Sequence, residues 1–428
     1  MYYRTINYQF IIDDHDHIKP VAEKTKNPFL FVWEHFYGIK ITNLKLTHFF
    51  SILIHAIVCS LIYVLFGQTK IAFITAVLFA LNPVNNQCSI WLSGRAYAIS
   101  TMLFLVGMIS GIFLPVFYGL ANWWSINSLF APLLFLYIKP HWFGLLIPLG
   151  LLLIKGKTKQ CYSAGKERFN GATNIMTEVS FRKLIITFKT LGYYVALAIF
   201  PFKLGMCHRY MSTFGLTKEE TDECWDIDWY FFLGIITASA SVYALFHHDP
   251  FLFGIFWFTI FTLQWLNFIV ISHLITERYI YLANIGLMYS LAQLIVNTPF
   301  QWIFLTFYAV RLWYFIPAYK DIISYWRSNT DNFPKVAMGW NQLGLGQLNF
   351  GNAGSALDSW IRGVQERPCD FRLNFNTANI LVGTGNVKDA VRFVKTAEAN
   401  LDPKNGYDFW KEKLEAMKTE IRKRGVEI

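Results

Sequence analysis

Three polar stretches interrupt an otherwise apolar chain, and each carries residue types able to do chemistry. In "YQFIIDDHDHIKP", Asp13 and Asp14 follow directly on an apolar run. Two adjacent carboxylates at a water–membrane boundary can leave one desolvated and poised as a general base. A solvated acidic loop is the competing reading, and His15, Asp16 and His17 suit it. A metal is the third reading, though ligands adjacent on one segment converge poorly on a single ion. In "LNPVNNQCSIWLSGRAYAIS", Asn82-Pro83 closes an apolar run, Asn85, Asn86 and Gln87 follow, and Arg95 opens the next helix beyond Trp91. A guanidinium there either grips a phosphate through two parallel hydrogen bonds or snorkels to water. In "ISHLITERYIYLANIG", Glu277-Arg278 is an ionic pair between two apolar runs. It reads as an interhelical salt bridge or as a second cation for a lipid phosphate, with Tyr279 and Tyr281 at headgroup level. His48 and His55 lie seven apart on one apolar run and share a helix face, where they either hydrogen-bond a neighbour or line a site.

The elements that must position these residues are apolar helices. The 428 residues are 54% hydrophobic, 18% aromatic and only 15% charged, against about 25% charged in soluble domains. Apolar stretches recur at 46–66, 70–82, 97–118, 122–138, 141–154, 183–201, 229–247, 251–272, 279–296 and 299–316. Several fall short of the roughly 20 residues of an upright span. The expectation is an all-α, polytopic bundle of about ten spans over 46–318, preceded by a loop at 1–45 with the acidic pair. The net charge of +10 fits loops facing an anionic leaflet rather than nucleic acid, because no basic stripe runs along a soluble helix. Six scattered cysteines without a CxxC pair argue against zinc and against a disulfide framework, though Cys207 and Cys224 share a loop. Residues 1–12 are too short and polar for a cleavable signal.

Loop charge orients the bundle. Residues 155–182 carry Lys155, Lys157, Lys159, Lys166, Arg168 and Arg182 against Glu167 and Glu178. Residues 202–228 are acidic, with Glu219, Glu220, Asp222, Glu223, Asp226 and Asp228. The positive-inside rule makes the first loop cytoplasmic, which places the second on the far side. Counting spans outward, residues 1–45, 82–96, 273–278 and everything after about 317 then share the translocated side.

After residue 320 a soluble pattern begins. Shifting 337–370 by 34 residues onto 371–404 aligns Gly344 with Ala378, Gly351 with Gly385 and Ala356 with Ala390. Trp340, Leu343, Trp360 and Pro368 sit where a tetratricopeptide repeat wants bulky, apolar and helix-ending residues. Two repeats and an amphipathic capping helix over 405–428 are expected.

Together these segments resemble the transmembrane-and-tetratricopeptide-repeat O-mannosyltransferases, which have the GT-C glycosyltransferase fold. That family places an acidic pair after its first span, then "H..N...H", "HPVHTEAVAWISGR", "ERYLYLPS" and the repeats. Asp13 and Asp14 match the pair; His48, Ser51 and His55 match the second element with one change. Pro83, Val84, Trp91, Gly94 and Arg95 keep the third, and Glu277, Arg278, Tyr279, Tyr281 and Leu282 the fourth. Asn82, Asn85 and Gln87 stand where the family has histidine, histidine and glutamate. The family's first span would fall ahead of residue 1, and only two repeats follow the bundle.

The resemblance implies a multi-pass enzyme of a bacterial inner membrane or the endoplasmic reticulum membrane. It would move a sugar, mannose in the family, from a polyprenyl-phosphate to a polypeptide hydroxyl, with Asp13 or Asp14 as base and Arg95, Glu277 and Arg278 at the donor phosphate. No cofactor or metal is implied. The competing expectation is a catalytically inactive, membrane-anchored repeat protein that binds an extended polypeptide. A transporter fits less well, since charges inside the spans are sparse, Lys189 excepted.

Overall fold

The computed structural model describes residues 1–9, 11, 44–138, 183–208, 225–266, 275–401 and 407–428. Asp13 and Asp14, the basic loop 155–182 and the apolar stretch 141–154 lie outside them. The regular structure among the described residues is helical throughout.

The first half runs α1 (Leu44–Leu65), α2 (Lys70–Leu81), α3 (Arg95–Ser110), α4 (Leu114–Trp124), α5 (Lys183–Ile199), α6 (Trp229–Ala244), α7 (Pro250–Thr262), α8 (Ala283–Ile295) and α9 (Phe300–Phe315). Thr69, Asp228 and Asp249 start α2, α6 and α7 by accepting the first free backbone N–H groups on their side chains. The expected run 97–118 is not one rod. It breaks at Gly111, whose φ of 64° is a left-handed conformation that favours glycine, and α4 then folds back along α3. The expected run 122–138 divides into short turns at Ile126–Ser128, Ala131–Leu134 and Phe135–Ile138.

Among the described helices, Lys45–Leu65 is long and apolar enough to cross a bilayer. Lys70–Leu81 with Pro83–Ser89 qualifies only as one span bent by 57°. Helices such as α3, α6, α7 and α8 are apolar but shorter. A 16-residue helix such as α6 rises about 24 Å, less than the roughly 30 Å of a hydrocarbon core.

This half packs around an apolar core and also leaves many large apolar side chains exposed. On α1, Leu46, Phe49, Phe50, Leu53 and Ile57 are exposed, while Thr47, His48, Ser51 and His55 are buried. Phe232, Ile236, Tyr243 and Phe246 of α6 and its C-terminal turn are exposed in the same way, as are Phe300, Ile303, Val310 and Tyr314 of α9. The helices approach closely through paired glycines. A Cβ on Gly192 of α5 would lie 1.9 Å from the Tyr230 carbonyl oxygen, and one on Gly234 of α6 would lie 1.8 Å from that of Phe188. Gly254 and Gly286 make the same reciprocal contact between α7 and α8. Backbone contact of this kind maximises dispersion between the helices. Lys189 is pinned beside the first pair, its Nζ 3.2 Å from Asp228 Oδ2 and 2.8 Å from the Asp226 carbonyl.

A 3₁₀ turn at Ile316–Lys320 leads into α10 (Ile322–Asn332), α11 (Ala337–Asn349), α12 (Ala353–Glu366), α13 (Phe371–Gly383), α14 (Val387–Ala399) and α15 (Tyr407–Lys423). The starts of α11 and α13 differ by 34 residues (371 − 337), as do those of α12 and α14 (387 − 353). Gly351 and Gly385 occupy the same turn in the two copies, at φ 78° and 87°. Ala356, Ala378 and Ala390 are fully buried where the helices meet. Phe371 and Phe375 of α13 pack against Trp410 of α15 at ring distances of 5.3 and 5.2 Å, so α15 closes the stack.

Candidate functional site

One end of the helical bundle gathers five segments distant in sequence. The 82–95 loop is folded on itself by side-chain bonds. Asn82 Oδ1 accepts the Val84 N–H at 3.1 Å, its Nδ2 donates to the Ala198 carbonyl at 2.8 Å, and Asn85 Nδ2 donates to the Phe79 carbonyl at 2.7 Å. A Cβ on Gly94 would lie 1.8 Å from the Gln87 carbonyl oxygen. The glycine ahead of Arg95 therefore closes the loop.

Gln87 is the hub. Its Oε1 accepts from Thr276 Oγ1 at 2.9 Å and from the Arg278 backbone N–H at 3.3 Å, and its Nε2 donates to the Gly205 carbonyl at 3.1 Å. An amide both accepts and donates, whereas an ionised glutamate at this position would only accept. The same residue thus binds the 82–95 loop, the 275–281 turn and a third segment, 204–208.

Arg95 is 2% exposed. Its Nε donates to Ser51 Oγ at 2.9 Å and a terminal nitrogen donates to the Thr47 carbonyl, both on α1. Solvent snorkelling is thereby replaced by a buried anchorage. The other two polar groups on that face of α1 also have partners. His48 Nε2 lies 3.0 Å from the Tyr8 carbonyl, and His55 Nδ1 lies 2.6 Å from the Tyr281 hydroxyl. Positions 48, 51 and 55 fall on one stripe, and each ties a different segment to α1.

Glu277 and Arg278 lie in a 3₁₀ turn, both buried. The expected salt bridge between them is replaced by separate engagements. Glu277 Oε1 accepts the Gly205 N–H at 2.6 Å and lies 3.5 Å from His208 Nε2. Burial pushes the Glu277 carboxyl above the usual glutamate range, against the opposing pull of His208, Gly205 and Arg278. Arg278 donates to Thr276 Oγ1 at 2.9 Å, and Met206 Sδ is 3.3 Å away. Its guanidinium carbon lies 5.2, 6.0 and 5.1 Å from the rings of Trp91, Tyr97 and Tyr279, within cation–π reach. Trp91 and Tyr97 flank Arg95 in the chain, so the neighbourhoods of the two arginines adjoin. Trp265 stacks on Tyr279 at 4.0 Å and completes the aromatic wall.

The N-terminal segment and the repeats reach the same end. Tyr2 donates its hydroxyl to the Ala80 carbonyl at 3.1 Å, and the Gln9 N–H donates to the Lys320 carbonyl at 3.0 Å. From α10, Asn329 Nδ2 donates to the Cys207 carbonyl at 3.2 Å and Asn332 Nδ2 to the Leu204 carbonyl at 2.9 Å. Phe333 packs on His208 at a ring distance of 4.8 Å. The helix that opens the repeats thus grips the segment that holds Glu277.

The structure brings together His48, His55, Asn85, Gln87, Trp91, Arg95, Glu277, Arg278, Tyr279 and Tyr281, while Asp13 and Asp14 lie outside the described residues. Among the described residues no group of three or more His, Cys, Asp or Glu is placed to hold a metal ion. Sequence reasoning missed Tyr193, Met206 and His208. A lone histidine in an acidic loop carries no spacing signal, and its one cue is the nearby Pro201-to-Gly205 break in helix pattern. No protein-family model matches the chain, and no curated protein or solved structure does.

Proposed function

We propose that the protein is a multi-pass membrane glycosyltransferase that takes a sugar from a polyprenyl-phosphate and passes it to a polypeptide hydroxyl on the translocated side. The observation that carries the reading is the meeting of five segments at one end of the bundle. Residues 1–11, 82–95, 204–208, 275–281 and 316–333 are the ones that loop charge assigns to a single side, and they touch one another, Tyr2 reaching Asn86 Oδ1 at 3.4 Å. The outward apolar stripes support a bilayer setting of about ten spans in a GT-C-like arrangement, with short helices tilted, paired or local to the interface. The acceptor oxygen needs a base, for which Asp13 and Asp14 are the candidates, and the leaving phosphate needs cations, for which Arg95 and Arg278 are. The 34-residue helix pairs support tetratricopeptide repeats that would present the acceptor polypeptide.

The test is transfer from labelled polyprenyl-phosphate sugars to a panel of polypeptides by the full-length protein in lipid. Asp13→Asn is expected to lower the rate about 10²–10⁴-fold, the usual cost of a lost general base. Full activity in both Asp13→Asn and Asp14→Asn removes the pair from the mechanism.

One observation favours a second reading, a catalytically inactive repeat protein that binds an extended polypeptide. Asn82, Asn85 and Gln87 all spend their amides on structural bonds, so the loop serves as a joint. Polypeptide binding without turnover of any donor would establish that reading.

A further inference from the structure

Behind Glu277 stands a chain of buried groups. The Tyr193 hydroxyl lies 3.0 Å from His208 Nδ1, and His208 Nε2 lies 3.5 Å from Glu277 Oε1. His208 and Glu277 are fully buried. Among the described residues His208 Nε2 and Glu277 Oε2 have no hydrogen-bond partner, which is rare for buried polar atoms. Imidazole chemistry orders the chain. If the phenol donates to Nδ1, a neutral ring carries its proton on Nε2, facing the carboxylate. Closing that contact to a normal hydrogen bond takes about 0.5 Å.

The segment that carries His208 also touches the arginine, through Met206 Sδ at 3.3 Å from Arg278. Glu277 and Arg278 are adjacent, and the same Oε1 also accepts the Gly205 N–H at 2.6 Å, so loss of His208 would leave the carboxylate on one donor of this segment and freer to turn toward the guanidinium. We propose that His208 is a positioning residue: donating from Nε2, with its tautomer set by Tyr193, it joins the Gly205 N–H in holding Glu277 on the 204–208 segment and so keeps the charge of Arg278 directed at the donor's phosphoryl group. This rests on the donor reading above and extends it to two residues outside the recognisable motifs.

The test uses His208→Leu, which keeps bulk but loses the donor, and His208→Gln, which keeps an N–H. His208→Leu is expected to raise KM for a polyprenyl-phosphate sugar about tenfold with kcat changed less than about threefold, and His208→Gln to stay within about threefold of wild type on both. An unchanged KM in His208→Leu, or equal losses in the two variants, overturns the proposal. Should His208→Leu fail to fold, Tyr193→Phe, which removes only a hydroxyl, is expected to raise KM in the same direction, and no rise overturns it. Nitrogen spectra of histidine-labelled wild type judge the chain separately. The Nε2–H tautomer supports it and the Nδ1–H tautomer overturns it, whether or not a donor is turned over. An Nε2–H tautomer in a protein that turns over no polyprenyl-phosphate sugar overturns the positioning role together with the donor reading, while the chain itself stands.

Discussion

The helices up to residue 315 and the repeats after 322 differ in how many large apolar side chains they leave exposed. α1 buries His48, Ser51 and His55 and exposes Phe49, Leu53 and Ile57. The repeats bury Leu373, Leu381, Phe393 and Val394, and among the large apolar side chains described there only Phe350 and Phe409 are exposed. In water, burial of apolar area drives the second pattern. The first is what the proposed bilayer setting would favour, since polar groups in apolar surroundings gain by turning inward to one another.

The largest test of that contrast is a charge on each outer surface. Ile236, 63% exposed at the middle of α6, faces lipid in this reading. Ile236→Lys is expected to cost about 2.5–3.5 kcal/mol of insertion, whereas Phe350→Lys in the repeats should stay within about 0.5 kcal/mol. Glycosylation-site insertion assays for the first and thermal unfolding for the second check this. Equal, small effects would return α6 to water.

Next in size is a methyl group at a helix crossing. Gly192→Ala sets a Cβ against the Tyr230 carbonyl and the Gly234 N–H. Both are backbone atoms that cannot rotate away, so the crossing must widen, at an expected cost of about 2 kcal/mol. Unfolding in detergent measures it.

Much of this was legible in the residues. The runs at 46–66, 70–82, 183–201, 229–247, 279–296 and 299–316 became helices because each is continuous and ends at Gly, Pro or Asn punctuation. The 34-residue recurrence predicted α11 to α14 through Gly351 and Gly385. The hairpin at Gly111 escaped because hydropathy stays high through the break, and hydropathy does not record a reversal of direction. In the site, the motif residues converge, but their partners were not legible. Arg95 meets Ser51 from 44 positions away and Gln87 meets Thr276 from 189 away, pairings that only the fold creates.

The joint between the halves yields a smaller effect. Asn329→Ala removes the amide that bonds the Cys207 carbonyl, at a cost of about 1 kcal/mol. Because α10 carries the repeats, the expected readout is faster proteolytic release of residues after 320, with the unfolding of the helices up to residue 315 unchanged. Unaltered cleavage would mean that the grip on 204–208 lies elsewhere.

The smallest effect has the opposite sign. Gly354, near the start of α12, has nothing within 4 Å of where a Cβ would stand and no positive φ. Gly354→Ala therefore meets no obstacle in the folded state, and it restricts the unfolded chain. The gain is expected at about 0.5 kcal/mol. The substitution is the same as at Gly192, so only the surroundings of the added methyl differ. At one site it enters a backbone contact between helices, and at the other it enters water. Thermal unfolding of the repeats should shift upward. A downward shift at Gly354, or an upward one at Gly192, would mean that close backbone approach does not separate the two halves.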